Sequence, residues 1–446
     1  MPCHALHWEP LIPLTRDQPR HPGNVSADCH DRNQDSHGSL SEGTIAMDAL
    51  TYEDLVSACH AGGASVLTSV TELAPAAGPH AGIAPARYTR GRNGTYAYET
   101  RFIDGRPQSA VVVDGKASQL NRVEDAMALA IQEGDPALSR MPRMRVDYGE
   151  FSAYDYELPH RFVDGHFRFG TVDGKPTTDS PVYRAARNST PADSRALLEL
   201  SPVSLVLGSW DSSRKSHQAR YRSCAVGEII GVLADQSENG REPSPRGAAR
   251  KDDIAPSVRL SGPDMLALLS TQRDEMSART VTKIEQAAKN AKSGTTSASA
   301  LGLGAIPPSL DALGLVACSR IIRSHVLSFA ALRQLRFGTD NDADVACRAL
   351  LAALALHGIA LADEELCLRA NCDLVEKNAP QVHLDGRRGS WRELVPLTRE
   401  ITGPLLSRSI NEAVATAGLT WEGQVFEVLG NEKILAGVES NAEDED

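Results

Sequence analysis

Aromatic side chains are scarce in this chain: Phe, Trp and Tyr together make 5% of its 446 residues. A recognition surface built from long rows of stacked rings is therefore not expected. Cysteine is sparse and scattered, with eight residues at 3, 29, 59, 224, 318, 347, 367 and 372. The closest pair, Cys367 and Cys372, matches no common zinc or redox spacing, so free thiols in a reducing cytoplasm are expected. No apolar run approaches the length of a membrane span, and the N-terminus lacks a signal-peptide core, which predicts a soluble intracellular protein. Catalytic motifs are missing as well. There is no Gly-x-Ser-x-Gly elbow, no His-Glu-x-x-His and no Walker glycine–lysine spacing. Nor is positive charge in excess: 46 Lys and Arg face 58 Asp and Glu, for a net charge of −12. That balance excludes a uniformly basic coat for nucleic acid, but a local basic groove survives it, since contacts answer to the nearby field.

What is present centres on Pro202 to Leu233. Two short apolar runs, Val203–Leu207 and Ala225–Leu233, have strand length. Between them lie Gly208, Ser209, Trp210, Asp211 and Ser212, then the cations Arg214, Lys215, Arg220 and Arg222 with His217 and Tyr221 interleaved. Guanidinium groups pair with phosphate oxygens and aromatic faces stack on unpaired bases, so this connection suits a nucleic-acid backbone. A solvated loop with a half-buried Trp has the same composition.

Along the rest of the chain, residues 1–46 are polar and aperiodic and are expected to be disordered. Met47 is a candidate for the true start. Helices are predicted at Tyr52–Ala61, Ala117–Gln132, Thr190–Leu200, Asp342–His357 (with Gly358 as its stop) and Pro404–Ala417. Strands are predicted at Ala64–Leu73, Thr95–Ile103 and Val111–Val113. Five Asp-Gly pairs, at 104, 114, 164, 173 and 385, signal tight turns, the last followed by Arg387 and Arg388. The first turn of the Ala117 helix carries Ser118, Gln119, Asn121 and Arg122, a natural cradle for an anion. Arg161, Phe162, His166, Phe167, Arg168 and Phe169 interleave charge and rings around a turn, fit either for single-stranded RNA or for an ordinary hairpin. Residues 236–308 shift to a Pro/Gly-rich and then cationic composition, with Arg250, Lys251, Lys283 and Lys289. They read as an insertion that is mobile unless bound. In Leu313–Phe337, Arg333 and Arg336 would share a face of a helix running from about Val326, as an RNA contact or as snorkelling core residues. The chain closes on an acidic tail, residues 441–446.

Five segments, SQLNR, PHRFVD, LVLGSWDS, GEIIG and LSFAALRQLRFG, together resemble the Cas seven-type RAMP backbone subunit of the type I-U (I-G) CRISPR Cascade surveillance complex. The resemblance extends over most of residues 47–440. It implies an α+β fold, a ferredoxin-like (RRM-like) palm with inserted segments, in which 236–308 corresponds to a thumb-like projection. It implies no cofactor and no metal. The partners it implies are a CRISPR guide RNA, target DNA through that guide, further copies of the chain, and the other Cascade subunits, namely a fused five/six-type subunit and a large subunit. The RNA-contacting set is then Gln119, Asn121, Arg122, His160, Arg161, Trp210, Arg220, Arg222, Arg333 and Arg336, and the protein is a binder rather than an enzyme. A related RAMP branch uses a loop aspartate for metal-dependent RNA cleavage, which makes Asp211 the candidate acid of an alternative, nuclease reading. One carboxylate is thin support for metal chemistry, and the expected role of Asp211 is structural, paired with Arg220 or Arg222.

Overall fold

The computed structural model describes residues 47–90, 93–216, 219–236, 258–291, 294–304 and 314–434, all within the unit Met47–Asp446. Its framework is one antiparallel eight-stranded sheet. In chain order the strands are β1 (Val66–Pro75), β2 (Tyr98–Ile103), β3 (Arg106–Asp114), β4 (Ala225–Leu233), β5 (Cys318–Ser328), β6 (Leu374–Glu376), β7 (Gln381–Arg387) and β8 (Ser390–Leu394). They lie side by side as β8-β7-β1-β5-β4-β3-β2, with the short β6 also on β1. Mixed helix and sheet of this kind is the α+β class expected from the sequence.

Alternation along β5 shows how the sheet is dressed. Ile321, Arg323, His325 and Leu327 are buried, while Ile322, Ser324 and Val326 between them are only half-buried. One face therefore carries helices; the other is the more open, apart from a small cluster of Ile103, Ile230 and Val232. The covering helices are α1 (Tyr52–Cys59), α2 (Lys116–Gln132), α3 (Asn341–Glu364) and α4 (Arg399–Ala417). The Thr51 hydroxyl and the Asp54 carboxylate cap α1 reciprocally. The Asp340 side chain caps α3 by accepting from the Asp342 amide. α3 is mostly apolar because it is buried on nearly every side, with Leu350, Leu351 and Leu354 at most 1% exposed, and its buried polar groups include Asp344, Arg348 and His357. By length and a mean hydropathy of 1.9 it would pass for a membrane span, which the sequence reading did not foresee; in the fold it is wholly enclosed. It also runs through Gly358, the predicted stop. A Cβ there would lie 2.8 Å from Val123 Cγ1 and 2.9 Å from Met127 Sδ, so this glycine permits the close crossing of α2 and α3.

Other expectations are corrected. The Thr95–Ile103 strand divides at Ala97 into Asn93–Tyr96 and β2. The predicted helix from Val326 is β5 to Ser328 and then a four-residue helical turn, Phe329–Leu332. Thr190–Leu200 shrinks to Arg195–Leu198. Around residue 165, the structure has short helical pieces, Arg161–Val163 and Gly165–Arg168, in place of a hairpin, because the Asp164 side chain accepts from the His166 amide and starts a helix. Asp104-Gly105 and Asp173-Gly174 do form tight turns, both residues in each having positive φ. The third hairpin turn slips. β7 and β8 close on Arg388-Gly389 (φ 53° and 83°), Arg387 also sits at φ 67°, and Gly386 falls in a bulge. Each arginine in this left-handed region costs about 1–2 kcal/mol.

The insertion is folded where it is described. The strands Arg259–Ser261 and Thr295–Ser297 pair at the base of two helices, Gly262–Ser270 and Ala278–Asn290, around Met265, Leu269 and Ile284. Arg250 and Lys251 lie outside the described residues. At the sheet, the Ala234 N–H donates to the Ala317 carbonyl at 3.0 Å, so the excursion leaves and re-enters at neighbouring positions.

Candidate nucleic-acid interface

The run at Val203–Leu207 is a helix, Pro202–Val206, where the sequence predicts a strand. Proline suits the first helical turn, and every side chain of the run is buried, so no period distinguishes helix from strand. Gly208 (φ 88°) then reverses the chain; a Cβ there would lie 2.8 Å from the Ser223 nitrogen. The reversal sets Ser209–Trp210 antiparallel to Arg220–Tyr221, with Trp210 opposite Arg220. Trp210 is 51% exposed, and the Arg220 guanidinium lies over its ring, 4.8 Å from the centroid. Lys215 and Arg222 are exposed alongside. Tyr221 points inward, its hydroxyl donating to Ser189 at 2.9 Å. His217 lies outside the described residues.

Three arginines hold this ribbon from beneath. Arg187 donates twice to Asp211, at 2.9 and 2.6 Å, and the Ser213 hydroxyl donates to the other Asp211 oxygen at 2.7 Å. Arg187, not Arg220 or Arg222, is thus the partner of Asp211. Burial alone would raise the Asp211 carboxyl; Ser213 and Arg187 outweigh it and hold the group below the usual carboxylate range. Arg161 (φ 49°) donates to the Gly208 carbonyl at 2.9 Å and grips Glu124 of α2 at 2.6 and 2.9 Å. Burial pushes the Glu124 carboxyl up to about 7 against the pull of Arg161. Arg168 donates to Ser213 at 2.7 Å and lies 5.3 Å from the centroid of Phe169, a ring that is 60% exposed. The outer surface therefore offers Trp210, Arg220, Arg222, Lys215 and Phe169, a mixture of rings and cations that matches a single strand's bases and phosphates.

The remaining expected residues divide between surface and scaffold. Asn121 and His160 are exposed. Gln119 and Arg122 both donate to the buried carboxylate of Asp114, at 2.7 and 3.0 Å. Arg369 joins them there. Arg122 also reaches the carbonyls of Cys367 and Leu368. Burial would raise Asp114, but Arg122 and Gln119 prevail and its pKa is lowered. Arg333 donates to the carbonyls of Ala58 and Ala64, at 2.5 and 2.8 Å. Arg336 pairs with Asp344 at 2.6 Å, its side chain 46% exposed. Four of the ten expected contacts, Gln119, Arg122, Arg161 and Arg333, thus spend their donors inside the protein. Among the described residues, no group of three His, Cys, Asp or Glu side chains is placed to hold a metal ion.

Strand register brings several of these groups to one end of the sheet. Val66 pairs with Ser328, Ala225 with Leu327, and Leu67 with Leu384. The ribbon that leads into β4, the Arg333 turn after β5 and the Arg387–Arg388 tip of β7–β8 therefore share that end. The sequence reading missed Trp391 (70% exposed) and the ring of His383 stacked on it, centroids 5.0 Å apart. No motif flags that pair, which meets only through cross-strand pairing.

The family model described as CRISPR-associated protein GSU0053 matches residues 67–236. No curated protein matches the chain. The matched stretch contains β1 to β4, α2 and the Trp210–Arg220 ribbon. Over that stretch the chain is similar to a CRISPR-associated protein family.

Proposed function

We propose that this chain is an RNA-binding backbone subunit of a type I-U (I-G) Cascade complex. In this reading it works in the cytoplasm, and copies of it line a CRISPR guide RNA and present it for pairing with target DNA. The observation that carries the reading is the exposed Trp210–Arg220 ribbon inside the stretch matched by a CRISPR-associated family. The protein supplies sequence-blind phosphate and stacking contacts, and base pairing supplies sequence. Supporting it, the strands β1, β4, β5 and β7, counted along the chain, lie in the order 4-1-3-2 expected of a ferredoxin-like palm. The folded helix pair inserted between β4 and β5 suits a thumb. Partners in this reading are the guide RNA, target DNA, further copies and the other Cascade subunits.

The competing proposal, metal-dependent RNA cleavage with Asp211 as a ligand, draws less support, because both oxygens of that carboxylate are engaged by Arg187 and Ser213. The test is to purify the protein from cells carrying a CRISPR array and to sequence the nucleic acid it retains. Array-derived RNA of uniform length is expected. Random host RNA, or none from the assembled complex, would overturn the proposal. Cleavage of an RNA substrate that stops with chelator and with Asp211→Asn would favour the nuclease.

A further inference from the structure

The open face of the sheet carries an aromatic platform that the proposed contacts do not use. On β8, Trp391 pairs in register with Asp385 of β7, so it lies diagonally beside His383, and the two rings stack with 19° between their planes. Trp391 is among the most exposed large side chains of the described residues, at 70%. His383 continues onto the open face through its pairing partner Thr68 of β1, and Thr68 in turn pairs with Val326 of β5. At the tip of the same hairpin, Arg387 and Arg388 are exposed and held at positive φ. The acid beside them is already occupied: Asp385 accepts from the Ser65 and Arg387 amides at 2.8 and 2.9 Å. Arg387 reaches the Ser65 hydroxyl, and Arg388 makes no ion pair among the described residues.

A flat, solvent-facing indole with a second ring behind it and two guanidiniums at its end is the pattern of a base-stacking site with phosphate clamps. Position adds a second reason. The hairpin and the Trp210–Arg220 ribbon lie at the same end of the sheet, and β8, which carries Trp391, is four strand spacings from β4, about 19 Å. One extended strand of nucleic acid spans that gap.

We propose that the open face is a further contact for single-stranded nucleic acid, in which Trp391, backed by His383, stacks on a base and Arg387 and Arg388 hold adjoining phosphates. The proposal rests on the RNA-binding reading above and adds to it a second, separable site.

The experiment uses the full chain and a fluorescein-labelled 30-nucleotide RNA of mixed sequence, with fluorescence anisotropy at several salt concentrations. Trp391→Ala is expected to weaken binding roughly tenfold, and Trp391→Phe to keep most of the affinity. Arg387→Gln with Arg388→Gln should make the log–log salt slope shallower by about 1.4, at about 0.7 per phosphate. Trp391 is exposed, so circular dichroism and the melting temperature should not change. A DNA strand of the same sequence, bound more tightly than the RNA and more sensitive to Trp391→Ala, would assign the face to DNA rather than guide. Suppose wild type binds the RNA, Arg220→Ala weakens it, and Trp391→Ala leaves it within twofold. The open-face site is then overturned, the ribbon stands, and a protein partner becomes the occupant of the platform. Failure of the wild-type protein to bind RNA overturns both.

Discussion

Arg161 and Glu124 form a two-pronged ion pair, at 2.6 and 2.9 Å, in which the carboxylate side chain is 6% exposed and the guanidinium 13%. The pair bolts α2 to the turn that launches the Trp210 ribbon, because the same arginine also holds the Gly208 carbonyl. A residue that looks from its neighbours like an RNA contact is therefore a strut.

Removing that strut should unfold rather than unload the protein. Arg161→Met strands a buried carboxylate, at an expected cost of about 3–5 kcal/mol at pH 8. The sign of the pH dependence follows from Glu124, whose folded pKa is raised to about 7. The folded state holds that proton more tightly than the unfolded state, so the group costs stability as pH climbs from its unfolded value through 7. The variant's deficit should be smaller at pH 5.5 than at pH 8. Urea unfolding at the two pH values checks this; an equal deficit at both refutes it.

Replacing Arg220 and Arg222 by Ala should weaken RNA binding at unchanged stability. The salt slope should become shallower by about 0.7 for each phosphate that is no longer held. An unchanged slope would remove the ribbon from the RNA path.

Trp210→Ala separates packing from stacking. With half of the indole in solvent, the melting temperature should move little, while RNA affinity falls by the equivalent of about 1–3 kcal/mol. Calorimetry and anisotropy on the same preparation decide between them. A large drop in melting temperature at unchanged affinity would make Trp210 a structural residue.

Gly358→Leu tests the helix crossing. Helix propensity favours leucine over glycine by about 1 kcal/mol. The side chain must nevertheless enter where Val123 and Met127 already stand within 3 Å of a Cβ, so a net loss of about 1–3 kcal/mol is expected. Chemical denaturation of the variant reads it directly, and a gain in stability would show that the crossing relaxes.

Much of this architecture was legible in the chain. The helix periods of α1 and α2, the Ala225–Leu233 strand and two of the Asp-Gly turns carry local signals strong enough to survive the fold. Val203–Leu207 was not legible, because a run buried on every side has no polar face to reveal its period. The Arg388-Gly389 turn was hidden by a better turn sequence three residues earlier, which the strand register demoted to a bulge. At the candidate site, composition singled out Trp210, Arg220 and Arg222, which the fold leaves exposed. The inward fate of Gln119, Arg122 and Arg333 depends on Asp114 and on carbonyls far away in sequence. Asp114 stands close by in sequence, but no local pattern encodes the distant carbonyls.

Where the insertion leaves β4 and returns to β5, the Ala234 N–H donates to the Ala317 carbonyl, and Gln236 and Val316 are held to Ser109 and Ile83. The sheet's register is consequently closed before the excursion begins, and loop-closure entropy grows only with the logarithm of the excursion's length. Residues 237–313 can therefore lengthen, shorten or change sequence while the strands on either side keep their pairing. Evolution has, in effect, a free port at this hairpin, where reach and partner choice can vary without refolding the sheet that carries it.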